Sequence, residues 1–484
     1  MKTTLLPLLL LIFYSSVAQP CADPFNCEKD MNLSPHAING SNNIIIINYG
    51  KQTGMPSTFS DVRYKFGCGT SPTSTTCNCA PTDLFYRVFY PTDVNYTTCA
   101  LPAVIMFHGG GFEDCTGLGN GDDAITICQE FAKKGFVAFD VEYRRGNYND
   151  EDYITAQGPL AIYRAQQDAR GAIRCIIQRQ INLGANVTGD PYRIDTNNVF
   201  LGGSSAGSIT AMMCAYYYRQ SKIDSILPGV RTALGASINA DFYDPDTAKA
   251  NDVYNDTLDY RRFIKGVLNN WGNVFIHKSF KSNPGAFFRN NDGYKPPVIS
   301  FHGLKDSTLP IDTTALFYAP ANAVYSPYNI PTNISIHSET HCVGACPGTG
   351  VAYTVNPDIN GNPDIYSMGS QKIYTVLKNA GIATLIFVDC QMKHGLDSNG
   401  SSYASNFGTG AANRADTYKY IAARAANFFQ LILHYQDAAN HYTGTTAFIE
   451  CEDKRHLCQV ANQNAACSNT NNCDGQFFLD PGDE

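Results

Sequence analysis

An α/β domain built on a mostly parallel sheet is the fold class that this sequence predicts, and three observations predict it. From Thr82 onward, short apolar runs alternate with stretches of helical spacing. That is the order taken when helices cross over both faces of a parallel sheet. Several runs, Ala103 to Phe107 and Pro297 to Phe301 among them, are continuously apolar, as strands buried on both faces are. Glycine-rich turns follow two such runs: His108-Gly109-Gly110-Gly111 after Phe107, and Gly203-Ser204-Ser205-Ala206-Gly207 after the run at Val199.

In chain order, Ile44 to Ile47 reads as one strand within an otherwise irregular segment, and Leu84 to Tyr90 as the first strand of the main domain. Ala103 to Phe107 is a buried strand. Asp122 and Asp123 open an amphipathic helix that runs to Lys134 and stops at Gly135. A strand at Phe136 to Tyr143 and a helix from Ala161 to Leu183, ended by Gly184, follow. Val199 to Leu201 is a short strand leading into a helix at Ile209 to Tyr218. Strands at Pro297 to Phe301 and Leu385 to Val388 enclose a helix at Gln371 to Asn379. Two stretches interrupt the alternation. Residues 241–295 are aromatic and polar, with helical character near Tyr260 to Asn270, and are expected to form a lid insertion. Residues 313–368, rich in Pro, Asn, Ser and Thr, are expected to form a second insertion.

Composition narrows the function classes. The 484 residues carry 16% charged side chains and a net charge of -8. Neither figure provides the basic surface that nucleic acid or an anionic membrane requires, so no nucleic-acid partner is expected. Met1-Lys2, an apolar run from Leu5 to Tyr14 and the small residues Ser16-Val17-Ala18 have the layout of a signal peptide over residues 1–18. An uncleaved anchor is the alternative for that segment. No later run is long enough for a membrane span. Seventeen cysteines, all after Ala18, fit an extracellular or periplasmic setting in which thiols pair. The expected layout is a cysteine-containing segment at 19–81, the α/β domain at 82–435 and a cysteine-rich C-terminal extension at 436–484. Cys451, Cys458, Cys467 and Cys473 in that extension are expected to pair as disulfides, with a zinc site as the alternative. The odd cysteine total leaves at least one thiol without an intrachain partner, and Cys214 is the candidate for a buried free one. Seven Asn-x-Ser/Thr sequons, Asn39 and Asn95 among them, permit glycosylation but are no more than an Asn-rich chain yields by chance.

The chemistry-bearing residues sit at predicted strand ends. A Gly-x-Ser-x-Gly run between strand and helix forces a strained turn that lifts Ser205 out as a nucleophile, with small residues where strand and helix approach. The N–H of Ala206 at the following helix start, and those of Gly109 and Gly110 in the upstream glycine loop, are placed to face a developing oxyanion. His108 reads as a prop for that loop. A base is expected late in the chain, and His394 follows the strand at Leu385 to Val388. The acid candidate is Asp306, in the loop after Pro297 to Phe301, with Asp312 and Asp389 as runners-up. No metal or organic cofactor is expected, and the N-terminal acids lack calcium-loop spacing.

On His108 to Phe112, Gly203 to Gly207, Asp306 and His394, the chain resembles the esterase and lipase branch of the α/β-hydrolase family, from about Thr82 to Tyr435. Gln167 to Arg174 is similar to the Asp-containing helix before the nucleophile in those enzymes. The resemblance implies a serine carboxylic-ester hydrolase with a Ser-His-Asp triad, an acyl-enzyme intermediate and a small-molecule or polymer-linked ester as substrate. Its subfamily marks are mixed. Ser204 stands where lipase-like members have Asp, and His302-Gly303-Leu304-Lys305-Asp306 looks more like the acid loop of prolyl-oligopeptidase and dienelactone-hydrolase relatives. A serine peptidase of the former type and a non-catalytic adhesion module of esterase fold are the rivals. Acyl and alcohol specificity stay open.

Overall fold

The computed structural model describes residues 36–40, 45–51, 83–112, 122–143, 157–184, 191–216, 260–277, 288, 295–303, 306, 308–311, 313–315, 338–340, 365–389, 394–395, 411–434 and 436. The signal-peptide segment, the four C-terminal cysteines, Asp312 and most of both expected insertions lie outside them.

The described strands are β1 (Ile45–Lys51), β2 (Asp83–Phe89), β3 (Leu101–Phe107), β4 (Val137–Val141), β5 (Ile194–Ser204), β6 (Ile264–Asn270), β7 (Val274–His277), β8 (Val298–Gly303), β9 (Thr313–Ala315), β10 (Ser338–Thr340), β11 (Ile365–Met368) and β12 (Thr384–Asp389). The helices are α1 (Asp122–Lys133), α2 (Gln157–Leu183), α3 (Ala206–Tyr216), α4 (Ser370–Asn379) and α5 (Ala411–His434). Nine strands form one sheet in the order β1-β2-β4-β3-β5-β6-β8-β12-β10. The β1–β2 and β2–β4 pairs are antiparallel, and every pair from β4 to β10 is parallel. The expected mostly parallel sheet flanked by helices is therefore what the chain builds.

Side-chain alternation explains why both faces are covered. On β3, Ala103, Ile105 and Phe107 enter one apolar cluster with α2, α3 and α4, while Val104 and Met106 enter the other with α1 and α5. Helix α1 supplies Ala124, Ile127, Cys128, Phe131 and Ala132 to that second cluster at helical spacing, and stops at Gly135, whose φ is +87°. Phe429 of α5 stacks on Phe200 of β5 at 4.1 Å and on Phe131 of α1 at 5.8 Å, joining helix, sheet and helix.

Four expectations change. Residues 264–270 are a central strand and not a helical part of a lid insertion: Tyr260–Phe263 is one 3-10 turn, and β6 then runs between β5 and β8. Ile264, Val267 and Leu268 do have helical spacing. Every β6 residue is nonetheless buried, and neighbours on both edges take up its backbone groups. The expected second insertion also contributes to sheets. Strand β10 forms an edge of the main sheet, while β9 and β11 join β7 in a three-stranded antiparallel sheet. Strand β5 begins at Ile194, well before Val199, despite its polar Asp195 to Asn198 start. Finally, Asn39 is buried, its amide donating to the Val88 carbonyl at 2.8 Å and its side-chain oxygen accepting the Tyr90 N–H at 2.8 Å. A glycan there is incompatible with this packing.

Among the described residues, no helix is long and apolar enough to cross a membrane. Cys214 carries a free buried thiol, as expected, and so does Cys128; Cys175 is free and partly buried.

Candidate active site

The parallel strands align at their carboxyl ends: Phe107 lies beside Gly203, Ser204 beside Asn270, and Asn270 beside Phe301. Loops leaving this edge converge, as they do in open α/β sheets.

Ser205 is the single residue between β5 and α3, with φ at +53°. A non-glycine residue in that region costs about 1–2 kcal/mol and persists only when its surroundings enforce it. Here the Ser205 N–H donates to the Asn270 carbonyl at 2.9 Å, and the Ser205 carbonyl accepts the Ile209 N–H at 3.0 Å. Both neighbouring glycines are needed. A Cβ on Gly207 would overlap the carbonyl oxygens of Phe107 and His108, and one on Gly203 would overlap the Gly207 backbone. The turn is thus pressed against the end of β3.

Ser205 Oγ lies 2.9 Å from His394 Nε2, and His394 Nδ1 lies 2.8 Å from Asp306 Oδ2. The structure thus brings together three residues separated by 88 and 189 positions in the chain. Asp306 is fully buried. Its Oδ1 accepts the backbone N–H groups of Thr308 at 2.9 Å and Leu309 at 2.8 Å. Burial works against its charge. His394 opposite it, and the hydrogen bonds from His302 and His394, outweigh that effect and hold the carboxyl at about 2. An ionised Asp306 accepts only, so His394 Nδ1 carries the proton and Nε2 is left to accept from the Ser205 hydroxyl.

The glycine loop lies against the same turn. A Cβ on Gly109 would stand 3.1 Å from the Ser204 carbonyl oxygen and 3.5 Å from Ser205 Cβ. Gly110 and Gly111 take φ values of +112° and +63°, and Phe112 follows at +62°. Ala206 opens α3 directly after the serine. His108 is buried beneath the loop and stacks on Tyr143 at 4.5 Å. Its Nδ1 lies 2.7 Å from the Gly109 carbonyl and its Nε2 3.1 Å from Glu142 Oε1. Tyr143 donates to the His108 carbonyl at 2.7 Å.

Of the runner-up acids, Asp389 ends β12 and Asp312 lies outside the described residues. Sequence reasoning overlooked Asn269 and Asn270, because their strand was read as helical. His302 stands in the sequence reading only as the first residue of the acid loop, although it follows the predicted strand at Pro297 to Phe301. Among the described residues, no three His, Cys, Asp or Glu side chains gather as a metal-binding set.

Residues 89–320 match the family model BD-FAE, an α/β-hydrolase esterase domain. Solved structures similar to the chain include esterase 2 of Thermogutta terrifontis phosphonylated by cyclosarin. It is 17% identical over 70% of this chain and 87% of that one, with a TM-score of 0.37. The butyrate-bound form of the same esterase is 16% identical over 72% and 90%, at 0.38. Its native form is 16% identical over 72% and 88%, at 0.37. No curated protein matches the chain.

Proposed function

We propose that this chain, whose residues 89–320 match an α/β-hydrolase esterase model, is a secreted serine carboxylic-ester hydrolase working through Ser205, His394 and Asp306. The observation that carries the reading is the continuous relay from Ser205 Oγ to His394 at 2.9 Å and on to Asp306 at 2.8 Å. In the proposed reaction His394 Nε2 takes the hydroxyl proton as Ser205 Oγ attacks the ester carbonyl. Asp306 keeps the imidazole in the required tautomer and stabilises the imidazolium. The N–H groups of Gly109, Gly110 and Ala206 receive the tetrahedral oxyanion. His394 returns its proton to the departing alkoxide, and water, deprotonated by the same imidazole, releases the acid from the acyl-enzyme. Export rests on the layout of residues 1–18 and the seventeen cysteines.

The test is a panel of p-nitrophenyl esters with a fluorophosphonate probe. Ser205→Ala and His394→Ala are each expected to lower kcat/KM by about 10⁴-fold or more, with the fold retained, and Ser205→Ala to abolish labelling. Asp306→Asn is expected to be strongly impaired as well. Wild-type turnover in either of the first two variants would overturn the assignment. Damage from Asp389→Asn in place of Asp306→Asn would move the acid.

A further inference from the structure

Asp306 has a second histidine on it. His302, at the end of β8, is fully buried, and its Nε2 lies 3.2 Å from Asp306 Oδ2 and 2.8 Å from the Leu309 carbonyl oxygen. Both neighbours only accept, so Nε2 carries a proton and shares it between them. Nδ1 lies 2.7 Å from Ser370 Oγ, at the start of α4. The Ser370 hydroxyl accepts the amide of Asn269 at 3.0 Å, and Asn269 spends its second amide hydrogen on Ser300 Oγ at 3.1 Å. The side-chain oxygen of Asn269 accepts the hydroxyl of Ser208, one turn into the helix that follows Ser205. The Ser370 hydroxyl also lies 3.5 Å from the Gly272 carbonyl oxygen, a longer contact than its 2.7 Å to His302 Nδ1, and with the shorter contact taken the donors run in one direction. Ser208 gives to Asn269, Asn269 to Ser370, Ser370 to His302 Nδ1, and His302 Nε2 to Asp306. Oδ2 of Asp306 then holds two imidazole N–H groups, one from each histidine.

We propose that His302 is a positioning residue for the triad: its Nε2–H fixes the Asp306 carboxylate and takes a share of its negative charge, while the Ser370 hydroxyl, held by Asn269, sets the His302 tautomer that makes this possible. The inference rests on the reading of Ser205, His394 and Asp306 given above. His302 and His394 both face Asp306, and Asp306 faces His302. A carboxylate that has lost one of its two imidazole donors presents more undivided charge to the other. His394 then holds its proton to higher pH and becomes available as a base later. Simple loosening of the packing would lower the rate at all pH values and leave that limb where it was.

The experiment measures the rate of fluorophosphonate labelling of the full chain against pH, with ester kcat and KM determined alongside. His302→Phe, which fills the site without a donor, is expected to move the rising limb upward by about 0.5–1 pH unit. Its kcat is expected to fall about tenfold with KM within about twofold. His302→Gln keeps a neutral amide donor toward Asp306 and an oxygen toward Ser370, and is expected to restore the limb. Ser370→Ala leaves the ring in place without its hydroxyl and is expected to move the limb the same way by less; it decides the matter by itself where His302→Phe does not fold. A labelled wild type whose limb stays fixed in His302→Phe or Ser370→Ala overturns this inference alone, as does an equal shift in the Phe and Gln variants. A wild type that is not labelled overturns the triad reading, and this inference with it.

Discussion

Ser205 occupies a backbone region that its own side chain disfavours, and the residues around it leave no other course. Gly203 and Gly207 permit the approach of strand to helix, and Asn270 ties down the strained N–H. Gly207→Ala is the most direct test, because the added methyl meets the backbone oxygens of Phe107 and His108, which cannot swing aside as a side chain would. A loss of about 3 kcal/mol in urea unfolding, with little remaining esterase activity, is expected. Unchanged stability would mean that the turn is looser than described. These two glycines were legible in the sequence, since a tight turn demands them locally. Asn270 was not, because its task is set by a partner 65 positions away across two strand ends, 205 and 270. His302 was visible as a strand-end histidine, but its direction toward Asp306 and Ser370 is a matter of rotamer and loop path that spacing does not carry.

At the scale of elements, periodicity identified those whose apolar pattern matches their environment. Helix α1 buries one stripe and reads as a helix; β3 buries both faces and reads as a continuous apolar strand. Strand β6 misled because Ile264, Val267 and Leu268 mimic a helical stripe, while Lys265, Asn269 and Asn270 are polar residues buried by the sheet around them. Lys265 keeps its ammonium bonded to the Arg262 carbonyl at 3.0 Å, and Asn269 distributes its amide between Ser300 and Ser370. Helix α5 was not singled out in the sequence, yet Phe429 stands at the centre of one face of the sheet. Phe429→Ala is expected to cost about 3–5 kcal/mol by chemical denaturation. Phe429→Leu, which keeps most of the volume, should cost under about 1.5 kcal/mol. Equal, small losses in both would show that α5 does not hold that face together.

Across the whole molecule, two buried carboxyls give stability opposite dependences on pH. Asp306, held at about 2 against an ordinary 3.8, stabilises the fold above about pH 4, and this contribution is lost as pH falls toward 2. Asp140 is the reverse. Burial, opposed by Arg87 at 2.7 Å and by His108, raises it from 3.8 to about 6. Its contribution is therefore present below about pH 4 and lost as pH rises through 6. Asp140→Asn, a neutral side chain of the same shape, should gain stability relative to wild type between pH 4 and 6 in thermal melts. A parallel pair of curves across that window would assign Asp140 an ordinary titration. The sequence by itself determined the alternation of strands and helices and the glycine turns, because each is written in the local chemistry of a few adjacent residues. Only the tertiary structure decided that 264–270 is a sheet strand, that Ser205 meets His394 and His394 meets Asp306, and that a second histidine, His302, also reaches Asp306. Those facts depend on which strand ends become neighbours, and that is fixed by burial and backbone pairing summed over the whole sheet.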